Sequence, residues 1–473
     1  MSTVTREFRA LMALALPAML STYCFFAMSV TELSVMGHLG VDQLAAVAYS
    51  QMSMDFCTLV FMQGFNAGMN ALCSQAFGAK NYHLLGDYAQ LTALVLTVMS
   101  VPMAVLWWNL GDLLTLAGVP DHVTVYARLY CRLSILGMWP RSMFQVLSIY
   151  YQAQQIVLPT TIFNGATVVL NFVLAMGLTY GSFGLPKLGF IGCPLGTSLA
   201  FAIRLVCYVM YMSGYKKYDR RCPWHWNWSF FQLHTLKTLL GVGFPLALGT
   251  VFENAQFQTM ALFSAKIGEV QLGSHNSMME LFFFATSPIY GVVNGSVTRM
   301  SNHLGAGKPG LARLVAKLAG ASIAVLSCTN AFSMVAFKSY IGRIFSDDPA
   351  VIDSFKQIGS LGGIAYLVLA FFYYSFAVLQ GQARSGPIMI AFAVGAWVVG
   401  VPSAYYLGLG RSSQNFVGIW IGMLLGYMVT SSIGFYAAFV KTDWEEQAHL
   451  AMERSKKKNK RDHESFETEP LLA

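Results

Sequence analysis

The chain has 473 residues, 55% hydrophobic and only 11% charged, with a mean hydropathy of +0.53 and a formal charge of +8. Soluble domains carry about 25% charge, so this composition excludes a water-soluble globule and specifies an integral membrane protein. In such a protein a positive excess reflects cytoplasmic loops rather than nucleic-acid binding.

Twelve apolar runs follow in order, at 10–35, 44–72, 88–110, 124–147, 160–183, 188–213, 236–265, 273–298, 312–337, 357–380, 386–408 and 415–440. A spanning segment must satisfy its own backbone hydrogen bonds, so each run is expected to be helical. The N-terminus carries Arg6 and Arg9 and no cleavage site after a short apolar core, so the first run reads as a span and not a removed signal. That run contains Glu32, five residues before Gly37, where the helix is expected to end near an interface or a cavity. The second run leads to SQAFGAKN (74–81), a polar Gly-Ala hinge with Gln75 and Gly78. Arg141 and Arg204 sit within later runs. The longest polar connection, Gly214–Leu236, holds Lys216, Lys217, Arg220 and Arg221 and divides the runs six and six.

The second half opens with the stretch 238–265, which holds a single charge, Glu253, near its centre. A carboxylate at that depth is expensive and is expected to face protein or water. Removal from water disfavours the charged form, which suits a group that loads a proton and yields it to an arriving cation. Thr250, Asn254 and Gln256 lie within a turn of it. Glu280 is a second isolated acid in the next run, with Asn276 one turn away. Phe371, Phe372, Tyr373 and Tyr374 cluster in the tenth run. Ring faces attract cations where water is excluded, so Tyr373 or Tyr374 is expected to line a cavity. Met28, Met52 and Met62 add adaptable apolar surface. After Val440 comes a charged tail with a basic cluster at 456–461, suited to anionic lipid, and the dileucine-type sequence ETEPLL. With twelve spans, the basic N-terminus, central loop and tail share one side, expected to be cytosolic.

The two halves repeat. Pro17 and Pro245 differ by 228 positions, as do Gly40 and Gly268, and Gln75 and Asn302 differ by 227. Asn302 and Gly305 form the hinge that mirrors Gln75 and Gly78. The expected organisation is a six-helix lobe at 1–214, a basic linker at 215–235, a second six-helix lobe at 236–440 and a tail at 441–473. Internal repeats of this kind accompany secondary transporters whose substrate site lies between the halves. The eight cysteines are scattered, without disulfide or metal-ligand spacing. GAGKPG (305–310) lacks the spacing of a phosphate loop, and no hydrolase motif occurs, so neither nucleotide, cofactor nor metal is expected.

GHLG (37–40), SQAFGAKN (74–81), YYQAQQIVLP (150–159), SNHLGAG (301–307) and VGIWIG (417–422) together resemble, in order, the multidrug and toxic compound extrusion (MATE) transporters. The resemblance spans about residues 8–446. It implies two six-helix bundles around a central cavity and export of organic cations by proton or sodium antiport. It also implies that Glu253 and Glu280 correspond to the seventh- and eighth-helix glutamates of the eukaryotic branch. Three positions depart from that branch: Gln258 and Asn70 stand where acids are common, and 357–380 has no acid. Conversely, Glu32 matches a bacterial aspartate. The resulting expectation is an antiporter, monomeric, using Glu253, Glu280 and Glu32 for ions or substrate, with Asn70, Asn254, Gln256, Tyr373 and Tyr374 as cavity candidates. Gly37, Gln75, Gly78, Pro245, Asn302 and Gly305 are expected to be structural. A lipid-linked sugar flippase of the wider superfamily and a non-transport receptor are the alternatives. Plasma, vacuolar and endosomal membranes all fit.

Overall fold

The structure is a computed structural model that describes residues 2–55, 60–116, 118–218, 222, 224, 228–338, 340, 349–410 and 415–456. Arg220, Arg221, Cys57, the loop acids Asp347 and Asp348, and the tail from 457 with ETEPLL lie outside them. Among the described residues the regular elements are all helices, joined by short turns and loops. The first half holds α1 (Thr3–Gly37), α2 (Val41–Met54), α3 (Val60–Gly78), α4 (Tyr82–Leu116), α5 (Asp121–Ala153), α6 (Leu158–Tyr180) and α7 (Gly192–Val209). The second holds α8 (Leu233–Ile267), α9 (Glu269–Gly305), α10 (Pro309–Ala336), α11 (Pro349–Gly381), α12 (Gly386–Phe392), α13 (Val401–Gly408) and α14 (Phe416–Phe435), followed by α15 (Trp444–Ser455). A π-helical segment, Ala393–Gly400, joins α12 to α13 in one span.

Nine of the described helical segments are long and apolar enough to cross a membrane. The others are α5 and α9, and the pair α2 and α3, which together make up the second run. The count thus agrees with the twelve runs of the sequence. Pro17, Pro102, Pro140, Pro245 and Pro288 lie inside helices. Neighbouring helices and local adjustment can re-satisfy the carbonyls that such prolines free.

The lobes meet along α1 with α9 and α3 with α8, and the seam has a two-fold character. A Cβ on Gly78 would overlap the Asn302 carbonyl oxygen, and one on Gly305 would overlap the Gln75 carbonyl oxygen. Only glycine fits at either place. Asn70 Oδ1 accepts a hydrogen bond from Thr298 Oγ1 at 3.0 Å, a pair separated by 228 positions, so one residue meets its own repeat mate. Gln152 Nε2 donates to the Asn294 carbonyl at 3.4 Å, and Gln380 Nε2 donates to the Ala67 carbonyl at 2.9 Å. These two contacts are again repeat copies of each other. Left-handed residues also recur, with Gln155 at φ 66° matching Ala383 at φ 56°. Such reciprocal contacts are the signature of an isologous interface, here between two halves of one chain.

The seam lies toward the face that carries the start of α1 and the last described helix, α15. There Glu7 of α1 is 1% exposed and takes Arg299 Nε at 2.9 Å and Arg299 Nη2 at 3.1 Å, both from α9. His303 Nε2 lies 3.0 Å from the same carboxylate. A bidentate guanidinium–carboxylate pair is strong and geometrically specific. α15 crosses the same face. Its Arg454 Nη1 donates to Gln75 Oε1 of the first lobe at 3.1 Å and to the Gln382 carbonyl of the second at 3.2 Å. Asn81 Nδ2 donates to the Ser455 carbonyl at 2.8 Å. The last helix therefore straps both lobes together on the side where they already touch.

Candidate functional site

Glu253 lies midway along α8 and is 6% exposed. Its Oε1 accepts a hydrogen bond from the Tyr373 hydroxyl of α11 at 2.9 Å. That hydroxyl is 2.8 Å from the Tyr290 hydroxyl of α9. With Tyr373 donating to the carboxylate, Tyr290 donates to Tyr373, which makes a short relay of hydroxyls. The two rings meet edge to face with centroids 5.0 Å apart. Tyr427 of α14 is also buried beside Glu253, and its hydroxyl makes no hydrogen bond of normal geometry. No Lys, Arg or His among the described residues forms an ion pair with Glu253. A buried charge is normally paired, so this acid is held by neutral hydroxyls alone.

The neighbours named from the sequence fall elsewhere. Thr250 Oγ1 returns to the Leu246 carbonyl, and Asn254 Nδ2 returns to the Thr250 carbonyl. The Gln256 amide nitrogen is buried without a partner, against Gly400 and Gly426. Tyr374 is the next residue after Tyr373, about 100° around the helix. Its ring packs on Gly320 and Phe439, away from Glu253. Asn70, Gln75, Gly78, Asn302 and Gly305 belong to the seam, and both side-chain polar atoms of Asn302 are buried without partners. Pro245 sits within α8, and Gly37 ends α1 beside Leu44. Glu280 is exposed and makes no hydrogen bond or ion pair with a described residue.

The first lobe has its own charged cavity. Glu32 is 7% exposed, and its Oε2 accepts from Gln51 Nε2 and from the Tyr130 hydroxyl, each at 2.6 Å. It lines a small cavity that is open to solvent, with a volume of about 70 Å³. Asp55 and Arg141 line it too, with Phe25, Trp107 and Phe201. Asp55 is exposed and lies on the wall of this cavity. The sequence reading missed it, although an acid inside the second apolar run is the same signal that singled out Glu253. It also missed Glu7, whose position four residues into the first helix gives no sign of burial. Arg299 and His303, four positions apart on one helix face, were the available signal for Glu7's partners.

The family model described as MatE matches residues 17–176 and 245–406. The chain belongs to the MATE family of transporters. The two matched segments begin 228 positions apart, as the repeat does. Protein DETOXIFICATION 16 of Arabidopsis thaliana is 26% identical over 467 residues, covering 96% of this chain and 92% of that protein. An uncharacterized transporter of Schizosaccharomyces pombe, C323.07c, is 25% identical and covers 95% of this chain and 83% of its own. Among solved structures, the eukaryotic MATE transporter AtDTX14 superposes with a TM-score of 0.87 at 23% identity, covering 96% of this chain and 100% of that one. The Vibrio cholerae MATE transporter VcmN, in its bent form, superposes with a TM-score of 0.81 at 17% identity, covering 96% and 100%. The fold is therefore the MATE fold of twelve membrane helices in two lobes.

Proposed function

We propose that this MATE transporter is a secondary antiporter that exports organic cations or amphipathic solutes in exchange for protons, with Glu253 as the exchanging group. The observation that supports this most directly is a buried carboxylate bonded to Tyr373 and matched by no cation. Such a group is neutral when protonated and becomes a cation site when it is not, so proton and substrate compete for it. Competition at one site, exposed alternately to the two sides, is antiport. The hydroxyls of Tyr373 and Tyr290 offer the carboxylate a donor in its charged form and a path for the departing proton. Glu32 is a second exchange group in the other lobe, and sodium is the alternative coupling ion. Basic residues near both chain ends favour a cytosolic location for that face. On that orientation the strapped seam closes the cytosolic side, and the Glu32 cavity is reached from the other.

The test is ethidium efflux from vesicles containing the purified protein, first under an imposed pH gradient and then under a sodium gradient. Glu253→Gln keeps shape and hydrogen bonding but cannot titrate, so it is expected to fold and to lose proton-driven efflux. Efflux at the wild-type rate with unchanged pH dependence would refute the role of Glu253 and move coupling to Glu32.

A further inference from the structure

The polar chain at Glu253 does not end at Tyr290. Tyr290, Asn294, Thr298 and Asn302 follow one another at four-residue spacing along α9, so they share one slowly winding face. The twelve steps from Tyr290 to Asn302 cover about 18 Å, from the Glu253 site to the seam. The one charge in that interval, Arg299, turns away to Glu7. The first lobe closes over the same face. Gln152 Nε2 of α5 donates to Thr298 Oγ1 at 3.0 Å, and Thr298 Oγ1 donates to Asn70 Oδ1 of α3 at 3.0 Å. Thr298 and Asn70 are both buried. Asn294 is half-buried, and its amide makes no hydrogen bond with a described residue. Both polar atoms of the Asn302 side chain are buried without partners, as is Oδ1 of Asn66, one turn before Asn70. Buried polar groups are costly to leave unpaired, and parting the lobes at the seam would expose these to water. On the other side of Glu253, one turn along α8, Phe257 packs against the rings of Tyr427 and Phe283, with centroids 5.9 and 5.8 Å apart.

From this arrangement we infer that the α9 face from Tyr290 to Asn302 is the route by which the Glu253 proton leaves toward the seam, with Asn70 and Gln152 as its covering wall. This rests on the antiport reading above and adds the direction of proton release. The step changes only O–H bonds. The carboxyl proton passes to the Tyr373 oxygen, the Tyr373 proton passes to the Tyr290 oxygen, and the Tyr290 proton passes to water admitted at Asn294. Afterwards Tyr373 donates to the carboxylate and Tyr290 donates to Tyr373, which is the arrangement around Glu253 in this structure. Hydroxyls can relay a proton in this way, whereas the amides of Asn70, Gln152, Asn294 and Asn302 orient water beside it. The face carries no carboxylate, so it offers no lasting site to a cation and suits a proton in transit. The Gln152–Thr298–Asn70 bonds close the route while the lobes are strapped and break when they part.

Two measurements test the route. The first uses single cysteines, introduced by Asn294→Cys, Thr298→Cys or Val292→Cys in a background without Cys328 and other accessible thiols. Val292 is buried on the opposite face of α9 and serves as control. A charged methanethiosulfonate is added from the side of α15. Labelling at 294 and 298 is expected to be slow and to quicken at least about tenfold when Glu7→Gln loosens the seam, in line with the cost of breaking a buried ion pair, while 292 stays unreactive. No labelling at 294 and 298 with or without Glu7→Gln, or equal quickening at 292, overturns the inference. The second measurement is proton-driven ethidium efflux by Tyr290→Phe, which keeps the Tyr373 bond to Glu253 but breaks the relay. Its maximal rate is expected to fall about tenfold, the scale of one lost hydrogen bond, with a larger slowing in heavy water than wild type shows. An unchanged maximal rate overturns the inference. If Tyr290→Phe does not fold, Thr298→Val and Thr298→Ser decide: Ser must restore the rate that Val loses, and equal rates overturn the route. Wild-type efflux in Glu253→Gln strikes the antiport reading itself. Loss in Glu253→Gln with unimpaired Tyr290→Phe strikes only the route.

Discussion

Glu7 offers a direct handle on the conformational cycle. Its carboxylate joins α1 to α9 through Arg299 and His303, whose side chains are 16% and 11% exposed. Removing one partner of a buried ion pair costs about 3–5 kcal/mol, because the other charge is left without compensation. Glu7→Gln keeps the size of the side chain and one acceptor oxygen, so the lower figure applies. At about 1.4 kcal/mol per tenfold change, a loss of about 3 kcal/mol shifts the lobe equilibrium by about 100-fold away from the strapped arrangement. Lys80 and Lys308 are exposed in the turns after α3 and α9, one in each lobe on this face. Spin labels at cysteines placed there, in a background without Cys328 and other accessible thiols, report the separation by double electron–electron resonance. Wild type is expected to show a narrow short distance, and Glu7→Gln a second, longer population. A distribution identical to wild type in a folded Glu7→Gln protein would show that the ion pair does not hold the lobes, and the reasoning would fail.

Gly78→Ala and Gly305→Ala are expected to be equally damaging to efflux, because each new methyl group would overlap a carbonyl oxygen of the other lobe; wild-type activity in one and loss in the other would contradict a reciprocal seam. Tyr373→Phe deletes the donor to Glu253 and is expected to reduce proton-driven ethidium efflux by about tenfold or more, in line with the roughly 1.5–3 kcal/mol of a hydrogen bond to a charged group. Tyr374→Phe, one position on, is expected to match wild type in the same assay, and equal effects of the two would dissolve the distinction between them. Truncation after Lys456 is expected to leave efflux by the purified protein intact. Truncation before Trp444 removes the Arg454 strap and is expected to broaden the Lys80–Lys308 distances, and a distribution unchanged by that deletion would deny α15 its bracing role.

Periodic apolar runs and the recurrence of Pro17 in Pro245 made the helices and their duplication readable, because both depend on local sequence alone. Glu253 was readable for the same reason: one charge in a long apolar stretch needs no knowledge of neighbours. Its partners were not, since Tyr373 lies 120 positions away and reaches it only through packing of α11 on α9. Choosing between Tyr373 and Tyr374 required the direction of the helix face, which two adjacent aromatics do not reveal. Gln75, Gly78, Asn302 and Gly305 read as ends of helices, and so they are. That each pair meets the other across the molecule is a fact of tertiary geometry. Asp55 was legible and overlooked, and its significance with Arg141 emerges only when α2 and α5 are brought around one cavity.

The reciprocal seam also bears on the history of the chain. If a half-length ancestor paired with a second copy of itself on this surface, every seam residue occurred twice, and a substitution at Gly78 or Asn70 altered both sides of the contact together. Fusion of the two copies would release that constraint, yet the seam kept its reciprocity while the buried charges did not. At an offset of 228, Glu253 corresponds to Phe25, Glu32 to Met260, Asp55 to Phe283 and Arg141 to Leu369. Each of these four charges thus has an apolar counterpart in the opposite half. Duplication supplied the hinge, and divergence afterwards gave the two halves different chemistry around it.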